Sequence, residues 1–449
     1  MNVTRRLAGL AVMLGICLLG MNAKPLAAQT PAAAGQDQCS GPGQHYTVAE
    51  YNEFTAASSE KDPAAQLKHL DAFVAKYPNS CLLNYIYPLY YQNYAAQKNF
   101  PKVMDYADKE LALGDTRISA NDKYAAYQAI VYAFNNTQNP DAATAKRAYD
   151  AATNGAKALE TLPKPEGQDD AAWGDLKKKA SLMLLSTKAG AAMGMKDFPS
   201  AVEAYKAVLA QTPDDFVANY YLGRAYSAMN PPQQLDAIWA FARAATVKTA
   251  NEKQSKQVKD YLRATALPKY QGGTVCDPLT DAELNELLQL ASTSVDRPAS
   301  YKLISAADLD AARKEMTIAS VFTDLKAGGD KAKLTWTAAC GLDFPEVPLK
   351  ALEVTTEGDA VTIKGAFVTS DAEFEAATTP NMIFKVAGQP DAGKVEKDSF
   401  VHVSGTLDSY DPDPAFMLHW SKGTVKDDDL PKAGKKPAAG AKKPAAKKP

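Results

Sequence analysis

Histidines and carboxylates are the side chains of this 449-residue chain that could bind a metal ion or transfer protons. None of the histidines follows another at the H-x-x-x-H or H-x-x-H spacing that brings two imidazoles to one helix face. Residues 408–414, DSYDPDP, group three carboxylates but lack the glycine and the terminal glutamate of a calcium loop. The sequence therefore predicts an acidic turn here and no metal site. Structural or surface roles are expected for the four histidines: His45, His69, His402 and His419.

Motifs for covalent or phosphoryl chemistry are not found in the sequence. It contains no nucleophile elbow and no phosphate-binding glycine loop, and the stretches GQDD and KAGGDK are typical of ordinary loops. These observations favour a protein that binds rather than catalyses and that needs no cofactor. An enzyme is the least favoured class.

Five cysteines are present, and Cys17 lies in an N-terminal apolar run. The other four form no C-x-x-C pair, which argues against zinc binding and thioredoxin chemistry. We predict that Cys39 pairs with Cys81 and that Cys276 pairs with Cys340, because the second pair flanks a helical segment leading into a β-rich region. Four cysteines allow three connectivities, and buried free thiols are the alternative.

Residues 1–28 have the composition of a secretory signal peptide. Arg5 and Arg6 precede an apolar run of about 15 residues, and small residues follow it up to Ala28. A spanning helix needs roughly 20 apolar residues, so a retained membrane anchor is the less favoured interpretation. The sequence predicts a periplasmic or secreted protein with a flexible segment over 29–46 and no transmembrane segment after cleavage.

The formal net charge of −2 conceals an uneven distribution of charge. Residues 1–28 contain three basic groups and residues 431–449 contain seven lysines, with no acid in either segment, so the body carries 40 basic against 52 acidic residues. The Lys-, Ala- and Pro-rich composition predicts a disordered tail over 426–449. Such a tail could bind an anionic envelope polymer or act as a solvated spacer. The acidic body argues against nucleic acid as a partner.

Between residues 47 and 264 the apolar residues have the spacing of paired helices. Ala201, Tyr205 and Val208 follow each other at steps of four and three, the spacing of one helix face. The next unit contains L-G-x-x-Y at 222–226 and then repeats the same spacing. Phe-Pro dipeptides occur at 100–101 and 198–199, and proline is favoured in the first turn of a helix.

These motifs resemble those of the tetratricopeptide-repeat (TPR) family, in which units of about 34 residues each form a helical hairpin. Residues 182–213 and 216–249 carry the match best, although NPPQQLD lengthens the turn of the second unit. The resemblance implies a solenoid in which the first helix of each hairpin lines a concave binding face; an irregular helical bundle is the alternative. On that face the resemblance places Tyr85, Gln92, Tyr220 and Arg224.

Residues 265–345 have the composition of a linker followed by helices. Thr280 and Glu283 have the spacing of a capping box, and one helix is predicted from Ser305 to the glycine pair at 328–329. Residues 346–425 then change to β-branched and aromatic segments separated by turns, which predicts a small antiparallel β domain.

The pattern V-x-V-x-G-x-L at 401–407 resembles a strand of an OB-type barrel, in which Gly405 would provide a kink. A small sandwich or an open sheet is the alternative for this domain.

The predicted fold is mainly α, a TPR-like solenoid of helical hairpins followed by a small antiparallel β domain. The favoured function is that of an exported, non-catalytic scaffold that binds a protein or peptide partner on its helical array. The alternative is an envelope-polymer or anionic-surface binding protein that uses the β domain and the basic tail.

Overall fold

The computed structural model describes Cys39 and residues 45–273, 276–299 and 301–431. The predicted signal peptide, most of the segment 29–46 and the tail beyond Pro431 lie outside the described residues. The chain divides into two compact units, Met1–Asn251 and Glu252–Pro449. The described part of the first unit is helical, and the second unit contains helices and a closed barrel of five strands, as the predicted fold class requires.

The first unit is a row of helical hairpins. Its helices are α1 Val48–Ser59, α2 Pro63–Lys76, α3 Leu83–Ala96, α4 Phe100–Leu111, α5 Ala120–Asn136, α6 Ala142–Thr161, α7 Asp170–Met195, α8 Phe198–Gln211, α9 Phe216–Ala228 and α10 Gln234–Thr246. Each helix packs against the next one in the chain. The first helices of successive hairpins also contact one another, α1 with α3, α3 with α5, and α5 with α7. Stacking of this kind buries apolar faces that no single hairpin could bury.

Two of these hairpins share the same turn. Lys98 and Lys196 follow the first helices with φ values of 59° and 62°, in the left-handed region. Asn99 and Asp197 come next, and each side chain caps the second helix by accepting a hydrogen bond from a backbone N–H three residues further on. Phe-Pro follows both caps, so the dipeptide that recurs in the sequence marks a repeated local structure.

Helices α9 and α10 approach closely where Gly223 faces Phe241. A Cβ atom on Gly223 would lie 2.9 Å from two carbons of the Phe241 ring. Leu222 and Tyr226, the other members of the L-G-x-x-Y motif, are both buried. The motif therefore contributes to packing: the glycine leaves room for an aromatic ring that fills the space between two helices.

The second unit begins with helices. They are α11 Glu252–Tyr261, a π-helical turn Leu262–Ala266, α12 Leu267–Tyr270, α13 Asp277–Thr293, α14 Ala306–Glu315, α15 Ile318–Ala327 and α16 Gly329–Ala339. The sequence had assigned α11 to the repeat array, but the division of the chain places it here.

One predicted helix start and the predicted length of another helix in this region were wrong, whereas the predicted start at Ser305 is confirmed by its capping box with Asp308. Helix α13 begins at Asp277, where Pro278 occupies the first turn, so Thr280 and Glu283 lie inside the helix and are buried instead of forming a capping box. The single helix predicted from Ser305 is interrupted near Thr317. There the Thr317 and Ser320 side chains form a capping box that starts α15.

The barrel has the strand order β1-β2-β3-β5-β4 and closes through pairing of β4 with β1. All neighbouring strands are antiparallel except β3 and β5, which are parallel. The strands are β1 Asp343–Glu357, β2 Ala360–Phe367, β3 Met382–Ala387, β4 Phe400–Asp411 and β5 Met417–Val425, with the short helix α17 Asp371–Ala376 between β2 and β3.

The barrel interior is filled by side chains. The rings of Phe384 and Trp420 stack inside it with centroids 5.1 Å apart. Gly405 lies where the β4–β5 register shifts, and a Cβ there would come within 3.4 Å of the Phe384 ring, which agrees with the kink expected from the sequence. Val321 of α15 and Ala332 of α16 belong to the same core, so this helical pair packs against the strands.

The edges of the barrel domain differ slightly from the prediction. Strand β1 begins at Asp343, three residues before the expected start. The chain also stays ordered beyond 425. Asp427–Asp429 form a 3₁₀ turn, and the Asp429 carboxylate accepts a hydrogen bond from the His402 backbone at 2.8 Å. The described part of the predicted tail, up to Pro431, therefore belongs to the barrel domain.

Candidate functional site

The four residues predicted to bind a partner lie on first helices of the hairpins. Tyr85 and Gln92 are both exposed on α3, with Tyr85 half accessible. Tyr220 and Arg224 are on α9, one turn apart, and Arg224 is exposed. In the chain, the five helices α4 to α8 separate α3 from α9, and no described side-chain contact joins the two pairs. They are thus two patches on one array rather than one cluster.

Tyr220 has a packing role as well as an exposed edge. Its ring centroid lies 5.9 Å from that of Phe216, 5.4 Å from Tyr221 and 5.8 Å from Phe241. Arg224 contributes differently, because its guanidinium lies 5.6 Å from the centre of the Tyr221 ring. The patch on α9 therefore consists of aromatic rings with the Arg224 guanidinium over one of them. Among the side chains of this patch, Arg224 is the most accessible polar one.

Sequence reasoning missed two exposed apolar residues on the same set of helices. In the described part of the helical unit, the exposed large apolar side chains are Val48 on α1, Tyr85 on α3 and Val217 on α9. Val217 lies three residues before Tyr220 and seven before Arg224, which is one helix face. That spacing was available as a signal in the sequence. All three exposed residues belong to first helices of hairpins.

Near Tyr85 the exposed face continues as a row of aromatic rings. The Tyr85 ring lies 6.0 Å from Phe54, Phe54 lies 6.4 Å from Tyr51, and Tyr51 stacks on Tyr46 at 5.7 Å. All of these rings are partly accessible. Tyrosine is enriched at protein interfaces because it combines a large apolar area with a hydrogen-bonding group.

Two carboxyl groups are buried in positions that raise their pKa values. Burial, together with the charge of Asp122, raises the pKa of Glu110 on α4 to about 8, and the Tyr91 hydroxyl offsets part of that rise. Burial likewise raises the pKa of Glu283 on α13, which accepts a hydrogen bond of 2.8 Å from the Gln271 amide. Both carboxyl groups are buried, so their raised pKa values bear on how stability depends on pH.

The barrel contains two His–Asp pairs that do not form a joint site. His402 Nδ1 lies 2.9 Å from Asp429, and His419 Nε2 lies 2.7 Å from Asp411. His419 is opposite Ser409 on β4, so the two histidines are separated by seven residues of that strand, or roughly 23 Å. Each pair joins neighbouring segments of the barrel, and Asp411 belongs to the acidic turn noted in the sequence.

Metal-binding clusters and membrane-spanning helices are absent from the described ranges. No group of three or more His, Cys, Asp or Glu side chains there is arranged to hold a metal ion. No helix in the same ranges has both the length and the apolar character needed to cross a bilayer.

Both disulfides expected from the sequence are present. Cys39 and Cys81 are joined with a Cα–Cα distance of 5.3 Å, and Cys276 and Cys340 with a distance of 5.8 Å. The first links the segment before α1 to the start of α3. The second links the beginning of α13 to the end of α16, immediately before β1.

Comparisons with protein-family models, with curated proteins and with solved structures found no match.

Proposed function

We propose that the helical unit is a TPR-like array that binds a protein or peptide partner on the first helices of its hairpins. The observation that carries the proposal is the placement of Val48, Tyr85 and Val217. They are the exposed large apolar side chains of the described helical unit, and all three are on first helices. Exposed apolar side chains that share one structural position mark an interaction surface better than scattered ones do.

Two packing features support the TPR assignment. The close approach of Gly223 to Phe241 gives the L-G-x-x-Y motif the packing function it has in TPR hairpins. The contacts between successive first helices match the stacking of a solenoid. The strand order of the barrel and its kink at Gly405 support the OB-type resemblance in the same way.

We also propose export, which the two disulfides support because such bonds persist in oxidising compartments. Catalysis is not part of the proposal.

The second candidate, binding of an anionic polymer by the barrel and the tail, is weakened by the charge of the barrel. Residues 343–431 contain 17 acidic and seven basic residues, a net charge of −10. An anionic polymer would be repelled by this domain. Of the two segments, only the lysine-rich tail has the positive charge needed to bind an anionic polymer.

Site-specific photo-crosslinking in the full-length exported chain tests the first proposal. A photoreactive phenylalanine analogue is placed at Gln92 or at Arg224, both exposed on first helices, and at Glu203, exposed on the second helix α8, as a control. We expect one discrete adduct from the first two positions and none from the control. Equal adducts from all three positions, or adducts only from a barrel position such as Lys385, would contradict the proposal.

Once the partner has been identified, Arg224→Ala should weaken its binding by more than about 1 kcal/mol without lowering the melting temperature. Lys248→Ala, which removes one positive charge elsewhere on the helical unit, is the matched control. Loss of binding in both variants would indicate a general charge effect and not a contact at α9.

A further inference from the structure

The net charge of the chain is segregated by domain. Residues 45–251 contain 22 acidic and 21 basic residues, whereas the barrel region 343–431 carries −10. The next residues along the chain, 432–449, contain seven lysines and no acid. The most basic segment is thus attached directly to the most acidic domain.

One outer face of the barrel runs without interruption from α17 to the point where the chain leaves the domain. Lys350 of β1 donates hydrogen bonds of 3.0 Å to the carbonyls of Phe374 and Ala377, which fixes the C-terminal end of α17 against the strands. The Phe374 ring lies 6.3 Å from Phe400, and Phe400 lies 4.9 Å from His402. We call this surface the α17 face.

The last described residues of the chain are bound to the same face. His402 Nδ1 lies 2.9 Å from the Asp429 carboxylate, and the Lys426 backbone N–H donates to the His402 carbonyl at 2.9 Å. The tail therefore begins beside the α17 face. Its 18 residues can extend for at most about 60 Å, so the whole face lies within reach.

The α17 face offers acids that no described basic side chain neutralises. Asp371 and Glu375 on α17 and Asp427 beside the exit are exposed, and no described basic side chain forms an ion pair with them. Lys350 is occupied by the two carbonyls and lies 3.6 Å from Asp398. The same lysine lies 4.9 Å from the Phe374 ring, so a lysine already packs on an aromatic side chain at this face.

We propose that the lysine-rich tail, residues 432–449, docks on the α17 face of its own barrel. Single exposed ion pairs are weak, at about 0.2–1 kcal/mol each. Because the tail and the barrel belong to one chain, the tail is present at the α17 face at an effective concentration in the millimolar range, which compensates for the weakness of each ion pair. The docked tail is unavailable to other anionic surfaces, and such surfaces compete with the barrel for it.

Two measurements on the full-length mature chain test this proposal. Carbodiimide treatment joins a lysine amine to a carboxylate that touches it, and mass spectrometry then maps the linked residues. We expect links from tail lysines to Asp371, Glu375 or Asp427 within one chain, lost at 0.5 M NaCl. Links between different chains would overturn the proposal, because the occupant would then be the tail of a second copy.

The second measurement follows the anisotropy of a fluorophore on the C-terminal residue. The triple variant Asp371→Asn, Glu375→Gln, Asp427→Asn should release the tail and lower the anisotropy to the value at 0.5 M NaCl. The control triple variant Asp330→Asn, Glu357→Gln, Asp359→Asn removes the same charge from exposed positions away from α17 and should keep the wild-type value. An equal fall in both variants, or no fall in either, overturns the proposal.

Discussion

Glu110 lies in the core of the helical unit with no exposed surface, and its two carboxylate oxygens are buried. A pKa of about 8, against the ordinary glutamate value of 4.5, means that the folded protein holds the Glu110 proton at neutral pH while the unfolded chain releases it. The sequence does not distinguish Glu110 from the many other carboxylates, because its burial depends on the fold. Glu110 shows that the charge of a side chain at neutral pH depends on its depth in the fold.

This arrangement predicts a pH dependence of stability. The folded state binds the extra proton between pH 4.5 and about 8, so the free energy of unfolding falls as pH rises through that window. The loss is on the order of 5 kcal/mol. Glu110→Gln removes it, so we expect the variant to melt higher than wild type at pH 9 and within about 1 °C of it at pH 4.

Thermal melts at the two pH values provide the measurement, and the exposed Glu203→Gln is the control. Parallel pH profiles for wild type and Glu110→Gln would show that the carboxyl group ionises in the folded state without cost.

At the scale of the elements, helices are positioned by caps, small residues and disulfides. Capping residues set where helices start, as Asn99 and Asp197 do for α4 and α8. Gly223 sets the distance between α9 and α10. The bond between Cys276 and Cys340 holds the helical start of the second unit next to the first strand of the barrel.

The contact between Gly223 and Phe241 predicts a loss of stability on adding one methyl group. In Gly223→Ala the new Cβ would lie 2.9 Å from the ring, so the Phe241 side chain or the two helices must shift to make room. We expect a cost of about 1–3 kcal/mol in denaturant unfolding.

Gly174→Ala is the matched control, because a Cβ at Gly174 meets no atom within 4 Å. In an exposed helix, alanine is more stabilising than glycine by roughly 1 kcal/mol, so this variant should gain stability. Adding Phe241→Leu to Gly223→Ala should recover part of the loss. If Gly223→Ala is as stable as Gly174→Ala, the close approach is not required.

We expect removal of the second disulfide to lower the free energy of unfolding by a similar amount. The bond closes a loop with a sequence separation of 64, so its removal should destabilise the second unit by roughly 2–4 kcal/mol. Cys276→Ser, Cys340→Ser and the double variant should lose the same amount, since each breaks the same bond. Unfolding followed by the fluorescence of Trp336 and Trp420 measures it. A double variant that is as stable as wild type would show that the bond does not constrain the unfolded chain.

At the scale of the whole molecule, the chain separates two kinds of surface. The helical unit is close to neutral and exposes aromatic and apolar groups on its first helices, whereas the barrel is acidic and leads into a basic tail. The first surface suits a partner recognised through buried contact area. The second suits interactions that depend on charge and therefore on salt.

Deleting residues 432–449 should consequently leave the melting temperature within about 1 °C of wild type, because exposed ion pairs add little stability. Binding of the full chain to vesicles that contain anionic lipid should weaken with added salt, since charges are screened beyond about 8 Å at physiological ionic strength. The deleted chain should not bind these vesicles. A melting temperature several degrees lower after deletion would show that the tail is part of a packed core.

Local patterns in the sequence were sufficient for the mainly helical first unit and the small β domain, whereas the observed cysteine pairing was one of three connectivities that the sequence allowed. Helical spacing, turn residues and caps act over a few residues, which is why the Phe-Pro repeat and the L-G-x-x-Y motif correctly predicted local structure. Tyr85, Gln92, Tyr220 and Arg224 were assigned to first helices through the TPR resemblance, and all four lie on such helices.

Contacts between residues distant in sequence decided the rest. Closure of the barrel depends on pairing of β4 with β1, and the buried Glu283 carboxylate is bound by the Gln271 amide of an earlier segment. The raised pKa of Glu110 and the joining of α17, His402 and Asp429 on one face follow from packing alone. Burial and proximity between segments are properties of the assembled fold, so no local pattern encodes them.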